Sequence, residues 1–199
     1  MLGKQAKVLS KQQVDLVYSM LGLSRNPERN RVVFLLSSKA GLRAKEIANL
    51  TWSMVVTADG TLSDQILLEN SASKGSSGRC IPLNSQLKQH LQALLNKTKV
   101  KKNAADLHSL QVIQSERSNR TSPQVIVNMF KGWYKQAGLM GCSSHSGRRT
   151  FITNAARKIS TVGGSLRDVQ WLAGHSSLQT TQRYIDSDSE AMRKVVNLV

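Results

Sequence analysis

Two stretches in the last third of the chain carry its most informative residues: His145-Ser-Gly-Arg-Arg-Thr-Phe151 and Leu172-Ala-Gly-His-Ser-Ser-Leu-Gln-Thr-Thr-Gln-Arg-Tyr184. The first stretch is predicted to open a helix over 146–158. The second contains Gly174, which ends a helix predicted over 165–173, because glycine commonly follows the last helical residue. Histidines, arginines and a tyrosine are therefore concentrated around predicted helix ends.

Two earlier segments place further charged residues at predicted turns. Residues 40–47 read Ala-Gly-Leu-Arg-Ala-Lys-Glu-Ile, and Glu46 follows Arg43 by about one helical turn. Residues 73–75 read Ser-Lys-Gly and fall in a flexible turn between two predicted strands. Arg79 lies close by, so two cations compete for any role at this hairpin.

Local signals elsewhere predict a mostly helical chain with one small sheet. Ser10-Lys-Gln-Gln13 is a capping box, and Asn26-Pro27 places a cap and a proline at a second helix start. Asp59-Gly60 is a hairpin signal between the first two strands. The predicted strands are 52–56, 62–68 and 79–83, and the helices include 43–50, 121–138, 146–158, 165–173, 178–184 and 187–198. We therefore expect a mainly α fold with a small antiparallel three-stranded β-sheet (α+β).

Other positions receive simpler interpretations. Asn84 is expected to cap a helix, and the apolar face of that helix consists of Leu87, Leu91, Leu94 and Leu95. The lysine-rich run 97–102 is predicted to be an exposed loop. The three tryptophans, Trp52, Trp133 and Trp171, are expected to pack in the core.

Composition narrows the function classes before any motif is used. Lys and Arg number 28 against 12 Asp and Glu, a formal net charge of +16, so nucleic acid is the expected partner. Aromatic residues make up 5%, which disfavours single-strand binding on stacked rings and a membrane-surface helix. No apolar run approaches the ~20 residues of a membrane span. Cys80 and Cys142 are the only cysteines, which favours a reduced cytoplasmic protein and excludes a cysteine zinc site.

The four charged segments together resemble the catalytic domain of the tyrosine recombinase (phage integrase) family. That family carries an arginine in a Gly-Leu-Arg-x-x-Glu segment, a hairpin lysine, a His-x-x-Arg pair, a Gly-His and a nucleophilic tyrosine. The matching residues are Arg43, Lys74, His145, Arg148, His175 and Tyr184. One such motif is a weak signal, whereas six residues in order and at compatible spacing form a strong one.

The resemblance implies attack by a tyrosine on a DNA phosphodiester, which gives a 3′-phosphotyrosyl link and a free 5′-hydroxyl. Tyr184 is the implied nucleophile and His145 its base, and Lys74 is the implied acid for the departing 5′-oxygen. Reversal by a second strand's 5′-hydroxyl conserves bond energy, so no ATP, metal or other cofactor is expected.

The resemblance also implies how the phosphate is held. Arginine presents a planar, always charged fork to phosphate oxygens, which suits stabilisation of the transition state. The residues implied to bind DNA phosphate are Arg43, Lys74, Arg148 and Arg149. His175 is expected to hydrogen-bond a non-bridging oxygen, and Glu46 to orient Arg43 from behind.

The implied partner is double-stranded DNA, which the family binds as an oligomer (dimer or tetramer), with accessory DNA-bending proteins. No membrane partner is expected. The expected location is the cytoplasm of a bacterium or a phage-infected cell. Residues 1–199 are expected to form a single catalytic domain. Its last helix, about 187–199, is expected to dock on a neighbouring protomer through Met192, Val195, Val196 and Val199.

Two alternatives with the same fold stay open: a type IB topoisomerase-like nicking-closing enzyme, and a catalytically silent DNA-binding protein. Two features depart from the family pattern. Gly147 stands where many members have leucine, and we expect it to weaken packing at the helix start. Only residues 1–42 precede Arg43, so we expect this chain to lack the N-terminal core-binding domain of the family. From Met1 we expect a naturally short form rather than an excised domain.

Overall fold

The computed structural model describes residues 5–73, 77–101, 104–116, 118, 120–184 and 196–197. The predicted Lys74 and nearly all of the predicted helix 187–199 lie outside them. The helices are α1 (Lys11–Gly22), α2 (Pro27–Ser38), α3 (Ala44–Asn49), α4 (Ser85–Lys101), α5 (Pro123–Gln136), α6 (Ser146–Lys158), α7 (Leu166–Ala173) and α8 (Leu178–Gln182), and the strands are β1 (Gln65–Leu68) and β2 (Arg79–Pro82). The predicted mainly helical class is confirmed.

The sheet has two strands in the described residues, so the predicted three-stranded sheet is wrong. β1 and β2 pair antiparallel, with Gln65 opposite Pro82 and Leu68 opposite Arg79. This register places the start of β2 beside the end of β1, with Leu68 opposite Arg79.

The first predicted strand, 52–56, instead begins with a 3₁₀ turn over Trp52–Met54. The Trp52 amide donates to the Leu110 carbonyl at 2.9 Å, and the following amides bond back within the turn. Val56 keeps a single bridge, to Leu62. The apolar run was read as a strand, but burial of its side chains draws it into the core as a tight turn.

α2 lies at the centre of the core. Its successive residues Val32 to Leu36 are all buried, and a helix that is apolar all round must be surrounded by other elements. It contacts α1, α4 and α6. The polar residues near its end, Ser37 and Ser38, are buried as well, because α6 lies against them.

A second, smaller apolar cluster joins α6 to α7. It consists of the buried residues Ile152, Ala156, Val169 and Ala173. The side chain of Tyr184 packs against its edge. This cluster fixes the end of α7, and therefore the residues that follow it, relative to the middle of α6.

The capping predictions for α1, α4 and α7 are confirmed, whereas Asn26 occupies the cap position of α2 without a side-chain hydrogen bond to that helix. Ser10 with Gln13 and Ser165 with Asp168 form the predicted capping boxes of α1 and α7. The Asn84 side chain accepts the Gln86 amide at 3.1 Å at the start of α4. These motifs are local in sequence, so tertiary packing does not override them.

Two surface predictions were wrong. The lysine run predicted as a loop over 97–102 continues α4 as far as Lys101, since α4 packs against α2. Trp171 is 72% exposed on α7, whereas Trp52 is fully buried and Trp133 packs against the core. Along the described parts of the chain, every helix is too short or too polar to cross a bilayer.

Candidate active site

The first turn of α6 approaches α2 closely, and this contact requires glycine. A Cβ added at Gly147 would lie 2.6 Å from the Ser37 hydroxyl oxygen, far inside ordinary contact. The predicted weakening of packing at Gly147 is therefore wrong. Glycine is the residue that lets this helix start lie against the core, and it fixes the position of the next residue, Arg148.

Arg148 is buried, with 4% of its surface exposed. Its guanidinium donates to two main-chain carbonyls, that of Gly41 and that of Ala173, the latter at 2.6 Å. Burial, followed by the nearby charge of Arg43, lowers the pKa of Arg148 to about 9, so the group stays charged at neutral pH. The side chain thus joins the segment before α3 to the end of α7.

A buried carboxylate lies between two other arginines. Arg43 donates to Glu46 from its backbone amide at 2.8 Å and from its guanidinium at 2.7 Å. Arg79, the first residue of β2, donates to both carboxylate oxygens at 3.1 Å. The Arg43 side chain remains 28% exposed, while that of Arg79 is only 4% exposed. Arg43 is therefore the one of these two that can meet a ligand from solvent.

Glu46 stays ionised in this setting. Burial is the largest influence and opposes its charge, but the hydrogen bonds and charges of Arg79 and Arg43 together outweigh it. The pKa of Glu46 consequently lies below its ordinary value. A fixed negative charge at this point balances part of the local arginine cluster.

His175 follows Gly174, whose positive φ of 61° ends α7. The His175 Nδ1 lies 2.9 Å from the hydroxyl oxygen of Thr181, which is fully buried in α8. Burial, followed by the charges of Arg148, Arg43 and Arg79, lowers the pKa of His175 to about 4. The imidazole is therefore neutral at physiological pH and is held by a hydroxyl on one side.

The aromatic ring of Tyr184 stacks on the His175 ring, with centroids 5.6 Å apart and planes at 22°. The Arg149 guanidinium carbon lies 5.6 Å from the centre of the Tyr184 ring. The Tyr184 amide donates to the Thr181 carbonyl at 3.0 Å, so the turn after α8 fixes its backbone. Histidine and arginine thus hold the phenol in place.

Two adjoining cavities flank this stack. The first, about 410 Å³, is lined by Tyr184, His145, Arg148 and Arg149 among others. The second, about 910 Å³, is lined by Arg43, Arg79, His175, Arg167 and Trp171 among others. Thr180 lines both. Cations therefore line both sides of the Tyr184–His175 pair, an arrangement suited to binding an anion such as a phosphate.

Five of the six predicted residues line these two cavities, and Glu46 is buried behind Arg43 and Arg79. His145 is exposed at the N-terminal end of α6, next to the cavity that holds Tyr184. The sixth residue, Lys74, falls outside the described residues. Within those residues, no group of three or more His, Cys, Asp or Glu side chains is placed to hold a metal ion.

Sequence reasoning missed two residues of the site. Arg79 was noticed only as a competitor of Lys74, although it is buried against Glu46. Thr181, which supports His175, gave no signal. A pattern that could have indicated Arg79 is its place at the start of a strand that follows the Ser-Lys-Gly turn.

The amino-acid sequence of this chain is similar to those of known proteins. Residues 7–191 match the phage integrase family. Tyrosine recombinase XerA of Thermococcus onnurineus (strain NA1) is 29% identical over 191 residues, which cover 94% of this chain and 61% of that protein. Tyrosine recombinase XerC of Bacillus pumilus (strain SAFR-032) is 29% identical over 174 residues, 84% of this chain and 52% of that protein.

Solved structures share the fold. A crystal structure of XerA recombinase aligns with a TM-score of 0.74 at 23% identity, covering 96% of this chain and 64% of that one. XerH site-specific recombinase bound to a palindromic difH substrate, in a post-cleavage complex, aligns with a TM-score of 0.72 at 18% identity, covering 96% of this chain and 52% of that one. The chain spans 61% of the length of the first of these curated relatives and 52% of the length of the second.

Proposed function

The chain belongs to the phage integrase family, and from that premise we propose that it is a site-specific DNA recombinase that cuts and rejoins strands through Tyr184. One observation carries the proposal: the Tyr184 ring lies stacked on His175, with Arg149 over it, in a cavity shared with Arg148. A phenol held among fixed cations is suited to nucleophilic attack on a phosphodiester.

In the proposed reaction, the phenol oxygen of Tyr184 attacks the phosphorus and the bond to the 5′-oxygen breaks. The phenol proton passes to His145, and the 5′-oxygen takes a proton from Lys74. The product is a 3′-phosphotyrosyl link and a free 5′-hydroxyl. A 5′-hydroxyl from another strand then reverses these bond changes, which completes strand exchange. One phosphoester replaces another, so ATP is not consumed.

The charge that develops on the non-bridging oxygens is assigned to Arg43 and Arg148, with a hydrogen bond from neutral His175. Removal of one such donor typically costs about 3 kcal/mol of transition-state stabilisation. Arg148 is already oriented by two carbonyls and Arg43 by Glu46. The proposed clamp is therefore preorganised before DNA arrives, and Arg149 adds a further phosphate contact from the Tyr184 side.

We also propose double-stranded DNA as the partner and assembly of several protomers on it. The net charge of +16 supports binding to a polyanion. Related structures include XerH bound to difH and a lambda integrase dimer bound to a core site. Residues 1–199 are proposed to act as one catalytic unit, with the segment 187–199 docking on a neighbouring protomer.

A covalent-trapping experiment tests the reaction. Duplexes that bind the Tyr184→Phe variant are first selected from a randomised pool, and a nick is then placed near each candidate cleavage position. The wild-type protein should form a covalent adduct with such a nicked duplex, and mass spectrometry should map the adduct to Tyr184. The Tyr184→Phe variant is the matched control, because it keeps the ring but lacks the attacking oxygen.

The same experiment separates the alternatives. Absence of any adduct on all selected duplexes, with DNA binding intact, would point to the silent DNA-binding protein. An adduct together with plasmid relaxation but no exchange between two sites would point to the nicking-closing enzyme. An adduct on another residue would contradict the role of Tyr184.

A further inference from the structure

Arg79 makes contacts that differ from those of the other site arginines. Its Nη1 and Nη2 donate to the two oxygens of Glu46, and its Nε donates to the Leu172 carbonyl at 2.8 Å. Nη1 also donates to the Ser77 carbonyl at 3.1 Å. All three nitrogens therefore have protein acceptors, and the side chain is 4% exposed. A side chain in this state has little left with which to bind DNA phosphate.

The three acceptors belong to three separate elements of the site. Glu46 lies on α3 and contacts Arg43, Leu172 lies in the last turn of α7 before His175, and Ser77 leads into β2. Arg79 thus connects the element that carries one proposed phosphate ligand to the element that carries another. Gly174 accommodates this packing, since a Cβ there would lie 2.8 Å from Arg79 Nη1.

Resting on the proposed function, we infer that Arg79 is a positioning residue for strand cleavage, which acts through Glu46 on Arg43 and through the end of α7 on His175. Without Arg79, Glu46 keeps only Arg43 as a cationic partner within the described residues, so the carboxylate draws Arg43 inward and away from a bound phosphate. The Leu172 carbonyl also loses its guanidinium donor, which loosens the turn before His175.

Single-turnover cleavage of the nicked duplex tests this inference. The saturating cleavage rate of Arg79→Met should fall about 10- to 100-fold, by analogy with the loss seen when the hydrogen-bond partner of a metal-binding side chain is removed. The DNA concentration for half-saturation should change by less than about threefold, because Arg79 does not bind phosphate. Arg79→Lys should recover only part of the rate, since lysine cannot donate to both carboxylate oxygens in a fixed fork. Arg25→Met, in an exposed ion pair with Glu116, is the matched control.

A double-mutant cycle with Glu46→Gln tests the route of the effect. If Arg79 acts through Glu46, Arg79→Met should cost less rate in the Glu46→Gln background than in the wild type. Arg79→Lys keeps the positive charge, and the double variant Arg79→Met with Glu46→Gln removes one charge of each sign. These two variants therefore provide the test if Arg79→Met alone does not fold. Fully additive effects would overturn the proposed route.

A duplex with sulfur in place of the scissile 5′-oxygen tests which side of the phosphate is affected. A thiolate leaves without a proton because the thiol pKa is about 8.5. Arg79→Met should stay slow on this duplex, since its defect lies in the phosphate clamp. Full recovery would instead assign Arg79 to the leaving group and overturn the inference.

Outcomes for Arg79 and for the proposed function are distinguishable. If the wild-type protein forms no adduct, the proposed function fails whatever Arg79 does. If the wild type forms the adduct and folded Arg79→Lys and Arg79→Met cleave at the wild-type rate, only the inference about Arg79 fails. A loss confined to half-saturation, with an unchanged saturating rate, would make Arg79 a DNA ligand and would also overturn it.

Discussion

His175 shows how burial among cations determines the state of a single side chain. Its pKa is lowered to about 4, first by burial and then by the charges of Arg148, Arg43 and Arg79. A neutral imidazole can donate one hydrogen bond to a phosphate oxygen without adding another positive charge to the cluster. This arrangement also links folding to pH.

The linkage predicts lower stability in mild acid. In the unfolded chain His175 titrates near its ordinary pKa of 6.5, whereas in the folded protein it titrates near 4. Between these values the unfolded state binds the extra proton, so the free energy of unfolding falls as the pH falls. Thermal unfolding followed by circular dichroism should show a steeper fall in Tm from pH 7 to pH 5 for the wild type than for His175→Gln.

The range from pH 7 to pH 5 separates the effect of His175 from that of Glu46. Glu46 also has a lowered pKa, but it loses its charge, and the stability linked to that charge, at more acidic pH. The difference between wild type and His175→Gln above pH 5 therefore reports His175. Parallel Tm curves for the two proteins over this range would contradict the assignment.

At the scale of the elements, α6 approaches α2 closely, and this contact depends on one missing side chain. Gly147 lies where a Cβ would meet the Ser37 hydroxyl at 2.6 Å. Both residues are buried, and the neighbouring backbone of α2 lies at the centre of the core. An added methyl group therefore meets the Ser37 side chain, which is fully buried and has little room to move aside.

We predict that Gly147→Ala destabilises the fold by about 1–3 kcal/mol, as is usual for overpacking a core. Gly132→Ala is the matched control, because Gly132 lies on an exposed face of α5 with nothing within 4 Å of its Cβ position. That change should stabilise the fold by about 0.5–1 kcal/mol through helix propensity alone. Chemical denaturation measures both, and equal effects at the two sites would rule out the steric explanation.

The helices and turns also show which structural features can be predicted from the sequence and which cannot. Caps such as Ser10 with Gln13 and Ser165 with Asp168 were predicted correctly because their partners are three residues apart. The segment 52–56 was misassigned because its turn depends on Leu110, which is remote in sequence. The exposure of Trp171 could not be read from helical spacing, since it depends on which face α7 turns to the core.

The candidate site also combines residues that sequence motifs indicate with contacts that only the structure shows. The motifs indicated which residues gather, including Arg43, His175 and Tyr184, because each lies in a recognisable local pattern. The place of Arg79 at the start of a strand is a local signal, but its partners lie on α3 and α7, far away in sequence, and no local pattern indicates them. Long-range hydrogen bonds of buried side chains are the part of the site that only coordinates supply.

At the scale of the whole molecule, the most prominent feature is the excess of positive charge. The net charge of +16 includes the arginines around the two cavities, so the proposed binding face is part of a wider positive field. A phosphate-dominated interface releases counterions from DNA when it forms. Affinity should then depend strongly on salt.

We predict that the affinity for the selected duplexes falls by about 10³-fold or more between 50 and 200 mM salt if six or more phosphates are neutralised. Fluorescence anisotropy with a labelled duplex at several salt concentrations gives the slope directly. Arg149→Gln should reduce the slope by about one counterion. A flat response would show that backbone phosphates contribute little to binding.

The anchoring of Arg148 has an evolutionary consequence. Its partners are the peptide oxygens of Gly41 and Ala173, and a point substitution can delete a side chain but not a peptide oxygen. Genetic drift can therefore misalign this arginine only by replacing it or by bending the main chain beside it. Gly41 and Gly174, both at positive φ, are the positions where such bending would begin.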